Sequence, residues 1–295
     1  ALHIACLALG VGKGDWLWTS PNTFAASSNC GLYCGARIDF VDIDSNTFNM
    51  CPQKLELKLE EASIKGTLPK VVVPVHFGGL SCDMVAINKL SIKYGFKIIE
   101  DASHAVGGSY LGHSVGSCAY SDITVLSYHP VKIITTGEGG MALTNDSKLA
   151  SKMVLLRSHG ITRDADLMSG ESEGDWYYQQ INLGLNYRIT DIQAALGASQ
   201  YSRLDDFVTS RNRIANRYNE QLVDFPVSTQ QICPNAYSAY HLFVIKLLKE
   251  NHIKKRKHIF SSMREAGIGV NVHYIPVHTH PYYKRLGFSY GDFPE

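Results

Sequence analysis

Four side chains in this sequence form a chemically useful set. Lys132 lies in the run SYHPVKIITTGEGG, between Pro130-Val131 and Ile133-Ile134, so a charged group is placed where its neighbours are apolar. Ser127 opens the same run, and Asp101 and His104 sit in IIEDASHA, just past another apolar stretch. An ordinary lysine, with a pKa of about 10.4, is protonated at neutral pH and a poor nucleophile; burial disfavours the charged form and frees the amine. A free amine can form an imine with an aldehyde, a carboxylate can hold a proton on a ring nitrogen, and a hydroxyl can bind a phosphate. Those are the demands of one cofactor, pyridoxal 5'-phosphate (PLP).

Each residue also has a plainer reading. Alone, Lys132 is a surface or snorkelling lysine, Asp101 a helix cap, and Phe24 of SPNTFAASSN a core residue rather than a platform for a flat ring. The conjunction carries the argument. A metal-dependent hydrolase built on Asp101, His104 and His129 is a remoter reading, because these residues follow no recognised ligand pattern. GEGG lacks the G-x-G-x-x-G spacing of a dinucleotide loop and does not open a helix after a first strand.

The elements that must position this set alternate. DWLWTS (15–20), RIDFVDI (37–43), KVVVPVHF (70–77), KIIEDAS (97–103) and ITVLSY (123–128) read as strands, several nearly continuously apolar, as strands covered on both faces must be. Helical patterns lie between them. The clearest has Asp83 as N-cap, Met84, Ile87, Leu90 and Tyr94 on one face, and Gly95 at its end. ALHIACLALG reads as a first helix. Alternation of this kind predicts a mostly parallel sheet with ligands at the carboxyl ends of its strands, where Asp101, His104, Ser127 and Lys132 fall. Further on, Thr190 to Gln193 reads as a capping box opening a helix with Ile192, Leu196, Leu204 and Phe207 on its apolar face, running on into RNRIANRYNEQL. Residues 161–180 read as an exposed loop, 239–248 and 268–274 as strands, and Lys254 to Ala266 as a helix.

Composition narrows the classes. The 295 residues can bury a substantial core, and a large domain with a smaller companion is the natural expectation. A formal net charge of +1, with 19% charged residues, supplies no overall field for nucleic acid or an anionic membrane, and no apolar run spans a bilayer. Seven cysteines without C-x-x-C or zinc spacing predict no metal and a reducing, cytoplasmic setting.

The segments ALHIACLALG, SPNTFAASSN, VDIDSNTFNM, VVPVHFGG, EDASHA, SYHPVKIITTGEGG, LRSHGI, LGLNYRITDIQAALGASQ and VHYIPVHTHPYY, in order along almost the whole chain, resemble the DegT-type family of sugar-nucleotide aminotransferases. The resemblance implies an α/β fold-type-I architecture. A mixed, mostly parallel sheet of the seven-stranded type, sandwiched by helices, would occupy residues 1–205, and a smaller α+β domain 206–295. It implies that Lys132 bonds to the PLP aldehyde and then serves as base, that Asp101 pairs with the pyridine nitrogen, and that His104 sits beside the ring. Phe24 would stack on the ring, Ser127 would bind phosphate, and Asn186 would reach the phosphate of a neighbouring subunit, making a homodimer with shared sites. His273, Tyr274 and His278 match a segment near the sugar, and Arg157 and His159 a weaker one.

Within the family, SYHPVK and VHYIPVHTHPYY...FSYGDFPE look most like the branch that moves an amino group from glutamate to C4 of a UDP-linked 4-keto-6-deoxy-N-acetylhexosamine on the path to pseudaminic acid. Another sugar-nucleotide aminotransferase, or a family member without turnover, is the alternative; a dehydratase relative would carry histidine in place of Lys132. The family's phosphate-cradling Ser-Gly-Thr turn belongs just before Ala1, and its small domain continues past Glu295, so the resemblance implies a piece of a longer chain.

Overall fold

The computed structural model describes residues 1–248 and 253–295. Its centre is a six-stranded sheet in the order β2-β1-β3-β4-β7-β8. The strands are β1 (Trp16–Thr19), β2 (Arg37–Phe40), β3 (Val71–Val73), β4 (Lys97–Asp101), β7 (Ile123–Ser127) and β8 (Gly140–Leu143). The short pair β5 (Ser109–Tyr110) and β6 (His113–Ser114) lies between β4 and β7 in the chain. The pairings among β1, β2, β3, β4 and β7 are parallel, and β8 closes the edge antiparallel to β7. The sheet is thus mixed and mostly parallel, with six described strands where the seven-stranded type was expected.

Two-sided burial explains the apolar strands. Leu17, Val71, Val73, Ile99, Ile123 and Val125 face one core, whereas Trp18, Val72 and Ile98 face the other. Helices α1 (Leu2–Ala8), α2 (Ala26–Tyr33) and α5 (Ser147–Arg157) cover the first face. Helices α3 (Pro52–Lys65) and α4 (Met84–Tyr94) cover the second. Each fully buried side chain of this size contributes roughly 1.5–3 kcal/mol. Local signals set the helix ends: Asp83 accepts from Ala86 N at 3.1 Å, and Gly95 takes φ +80 at the close of α4. The chain steps from β1 outward to β2, then crosses back to β3 on the other side. The order reverses at β1/β3, which opens a crevice at the carboxyl ends of the central strands.

The later elements depart from expectation in three places. The capping box is present, opening α6 (Asp191–Tyr201), but the helix stops at Ser202–Arg203 and α7 (Leu204–Gln221) begins separately. The two stretches meet different surroundings: Leu204 and Val208 are buried against Ala102, Ala105 and Val106, whereas Ile192 is 85% exposed. Of residues 239–248, only Ile245–Leu247 forms a strand, antiparallel to Val227–Thr229. The earlier half is tied instead to the 78–79 turn, through Ala239 N to Gly79 O (3.0 Å) and Leu242 N to Gly78 O (3.1 Å). Glycine is required there, since Gly79 takes φ +109 and a Cβ would meet Tyr240 N at 2.7 Å. No strand forms over 268–274 among the described residues, because Tyr274 N donates to Asn22 Oδ1 (3.1 Å) rather than to a ladder. The helix expected from Lys254 is described over Arg256–Glu265. Residues 161–180 are largely exposed, with a short antiparallel pairing of 161–162 and 179–180.

The terminal segment returns to the large core. Val277, Tyr283, Phe288 and Phe293 pack around Phe40 at the end of β2, and the Tyr283 hydroxyl donates to Asn29 Oδ1 at 2.6 Å. No helix among the described residues is long and apolar enough to cross a membrane.

Beneath the crevice lies a buried polar knot. Cys82 N donates to His76 Nδ1 (3.2 Å), so His76 carries its proton on Nε2 and donates it to Glu100 Oε2 at 2.7 Å. Glu100 Oε1 is satisfied by Thr124 (2.9 Å) and Ser121. Since His76 N also donates to Asp101 O (3.1 Å), this knot holds the ends of β3 and β4 in register. Replacing His76 by Ala strands a buried carboxylate, and urea unfolding should show a loss of about 3 kcal/mol; a loss below about 1 kcal/mol would mean the knot adds little.

Candidate active site

The crevice is lined by residues immediately past the ends of β1, β3, β4 and β7. Asp101, the last residue of β4, is 5% exposed and is held by two short bonds. Ser27 of α2 donates to Oδ2 at 2.6 Å, with Thr23 behind it at 2.8 Å from the Ser27 hydroxyl. Ser103 donates to Oδ1 through both its hydroxyl (2.6 Å) and its amide (3.2 Å). A carboxylate offers about four lone-pair sites. Two on Oδ1 and one on Oδ2 are taken, leaving Oδ2 one acceptor position.

Lys132 lies in the turn after β7, its amide donating to His129 O at 2.9 Å. Its amine forms no hydrogen bond or close ion pair with another described residue. Burial lowers its pKa, and the charge of Asp101 opposes that shift in part. The amine is thus more readily uncharged than an ordinary lysine, while still within the field of the acid.

Histidines surround this pair. His104 is 6% exposed, its Nε2 3.1 Å from the Tyr274 hydroxyl, and its buried Nδ1 has no hydrogen-bond partner among the described residues. The His241 ring lies 4.6 Å away, tilted by 46°. Burial holds His104 well below the usual histidine range, reinforced by Lys132, His241 and His273. Burial likewise presses His241 down to about 3 and lowers His273, again with Lys132 contributing. Tyr274 is pushed up by burial and then by Asp101, so it remains a phenol. The crevice therefore contains neutral imidazoles, a neutral phenol, one acid and one softened amine.

The other expected residues fall as follows. Ser127 ends β7, half-buried, paired in register with Gly140. Phe24 is 67% exposed, and its carbonyl accepts from Ser27 N (3.2 Å), which ties it to the residue that holds Asp101. Asn186 is exposed, in a bridge with Ser158 beside the end of α5, apart from the Lys132 group. His159 beside it takes φ +63. His273 and Tyr274 join the group, their rings 4.7 Å apart. His278 does not: it is 2% exposed, packed by Phe293 (5.0 Å) and Phe40 (6.3 Å). Three participants escape the sequence patterns. Ser27 and Ser103 are legible only as small polar residues near a cap and an Asx-type turn. His241 sits in an apolar run that gives no sign of its contact with His104.

The residues present fit PLP. The amine is softened, the acid retains an open acceptor, a buried imidazole nitrogen lacks a partner, and an exposed aromatic face stands at the head of α2.

Known proteins agree with that fit. A spore coat polysaccharide biosynthesis protein of Bacillus subtilis is 40% identical over 100% of this chain and 74% of its own length. A Campylobacter jejuni protein named UDP-4-amino-4,6-dideoxy-N-acetyl-beta-L-altrosamine transaminase is 40% identical over 97% of this chain and 72% of its own. Among solved structures, a Streptococcus pneumoniae protein described as a sugar aminotransferase, in its PLP form, superposes with a TM-score of 0.87 at 28% identity, over 100% of this chain and 76% of that one. The DegT/DnrJ/EryC1/StrS aminotransferase family model matches residues 1–295: this chain belongs to that family and is a sugar aminotransferase that uses PLP.

Proposed function

We propose that the protein moves an amino group from glutamate to C4 of a UDP-linked 4-keto-6-deoxy-N-acetylhexosamine, on the route to pseudaminic acid, with Lys132 as the catalytic amine. The observation that carries the site reading is the meeting of a softened Lys132 amine with the charge of Asp101 at the carboxyl end of the sheet. The substrate reading is supported by the name of the Campylobacter relative. The Bacillus relative, equally identical, favours a second reading in which another nucleotide-linked keto-sugar is aminated.

When bound, PLP supplies an aldehyde for the amine and a ring that accepts electrons from the reacting carbon. The protein's part is binding and proton control. Lys132 Nζ, whose pKa burial lowers, is the amine that would hold the aldehyde and, when free, could take and return a proton at the reacting carbon. The open acceptor position of Asp101 Oδ2 would hold the proton on the ring nitrogen, while Ser27 and Ser103 fix the carboxylate's plane. Phe24 offers the flat face and Ser127 a hydroxyl for phosphate. His104 would stand beside the ring, and burial, which lowers the pKa of His104, His241 and His273, keeps competing positive charge away from Lys132. His273 and Tyr274 stand where a sugar would enter, whereas His278 packs against Phe40 and Phe293 and takes no part.

The active unit in this reading is a homodimer. Residues 183–196 expose Leu183 (88%), Tyr187, Ile192 and Leu196 beside Asn186, an apolar surface that a second copy would cover while bringing Asn186 to its site.

Two tests follow. With cofactor and glutamate, the protein should aminate a UDP-linked 4-keto-6-deoxy-N-acetylhexosamine in preference to other UDP-keto-sugars, and Lys132→Ala should lower turnover by at least about a thousandfold. Preference for a different keto-sugar selects the second reading, and retained turnover in Lys132→Ala removes that residue from catalysis. Mixing inactive Lys132→Ala and Asn186→Ala subunits should restore part of the activity, because some mixed dimers hold one intact site; no recovery in confirmed mixed dimers would contradict a shared site.

A further inference from the structure

We infer that His241 is a positioning residue of the cofactor site, setting the tilt of the His104 ring and screening it from a cavity between α7 and residues 240–243. The inference rests on the reading of Lys132, Asp101 and His104 given above, and adds to it a residue that none of the sequence motifs assigns.

His241 has two faces. One lies against His104, with ring centroids 4.6 Å apart at 46°. The other forms part of the wall of a cavity of about 170 Å³, lined also by Arg211, Ile214, Tyr218 and Phe243. That volume is ample for several waters. His241 is therefore shared between the lining of that cavity and the packing of the buried His104 ring.

The placement of His241 is built rather than incidental. Its backbone is clamped from α7, where Arg211 Nη1 donates to the carbonyls of Tyr240 (3.0 Å) and His241 (3.3 Å), and Asn212 Nδ2 donates to Ser238 O (2.9 Å). On the opposite side, Ala239 and Leu242 are hooked to Gly79 and Gly78. Between these clamps Tyr240 is held at φ +43, a left-handed conformation unusual for a bulky residue, with its amide donating to Ser238 Oγ at 3.1 Å. A turn held from both sides, with an imidazole set against His104, is the mark of a positioned group.

The chemical consequence lies in His104. Its Nδ1 is buried without a partner, and the same is true of His241 Nδ1. The charged and titratable groups facing this pair are Lys132, His273, Tyr274 and, from α7, Arg211. In those surroundings a buried His104 favours its neutral form, presenting one donor and one acceptor. Removing the His241 ring would hydrate His104, let it take up a proton at higher pH, and free its ring to turn.

The test uses three variants with the full chain. In cofactor-free protein, NMR of the imidazole should show His104 neutral to well below 6.5 in the wild type, and shifted upward by about one pH unit or more in His241→Ala. His241→Gln, which keeps bulk and a polar tip, should stay near the wild type. With cofactor, the pH midpoint of its visible absorbance should move in His241→Ala, and kcat should fall by about tenfold or more with the sugar KM changed less than about twofold. Should His241→Ala not fold, Arg211→Lys, which loosens the clamp, should move the His104 midpoint in the same direction. An unmoved His104 midpoint in a folded His241→Ala or Arg211→Lys protein overturns the inference. Turnover by Lys132→Ala would instead overturn the site reading on which it rests, so the two failures are distinguishable.

Discussion

The rest of the site depends on the desolvation of one amine within the field of one acid. Taken out of water without a partner, an ammonium is costly, and the group responds by giving up its proton more readily. Lys132 shows that response, while Asp101 limits it, so the amine is neither locked as a cation nor stripped of all electrostatic support. Everything nearby preserves this balance. Burial holds His104, His241 and His273 below the ordinary histidine range, the phenol of Tyr274 keeps its proton, and the carboxylate of Asp101 is oriented by two serines rather than by a cation that would drain its charge.

The fold supplies this arrangement because parallel strands deliver their ends to one side. Asp101 arrives on β4, Lys132 just past β7, and the 76–79 turn past β3, so groups 25 to 56 residues apart converge without any long excursion. The His76–Glu100 knot fixes the relative height of β3 and β4 below Asp101, and the same turn that begins at His76 carries Gly78 and Gly79, onto which the His241 segment is hooked. Stability and site geometry are therefore coupled through a few buried hydrogen bonds rather than through the apolar cores alone.

Much of this was legible in the sequence where physics is local or periodic. Strands buried on both faces must be nearly continuously apolar, and WLWT, VVV and ITVLS are. The caps at Asp83 and Thr190 announced their helices through side chain to amide bonds spanning three residues. What failed were readings that required knowing the surroundings. The apolar residues of α6 and α7 looked like one stripe, yet Leu204 meets a core while Ile192 faces outward. The β-rich runs 239–248 and 268–274 had the composition of strands, but the backbone amides of Ala239, Leu242 and Tyr274 found acceptors on Gly79, Gly78 and Asn22. Lys132, Asp101 and His104 could be named because they stand at strand ends; His241, Ser27 and Ser103 could not, because only the folded chain shows that they touch that group.

The central claim is that the amine at position 132 is the one softened for bonding to the PLP aldehyde. Loading the wild-type protein with PLP, reducing it with borohydride and digesting it for mass spectrometry tests that directly. The account predicts the covalent label on the peptide containing Lys132 alone, in near-stoichiometric yield. A label on any other lysine, or loaded protein that yields none, would contradict it.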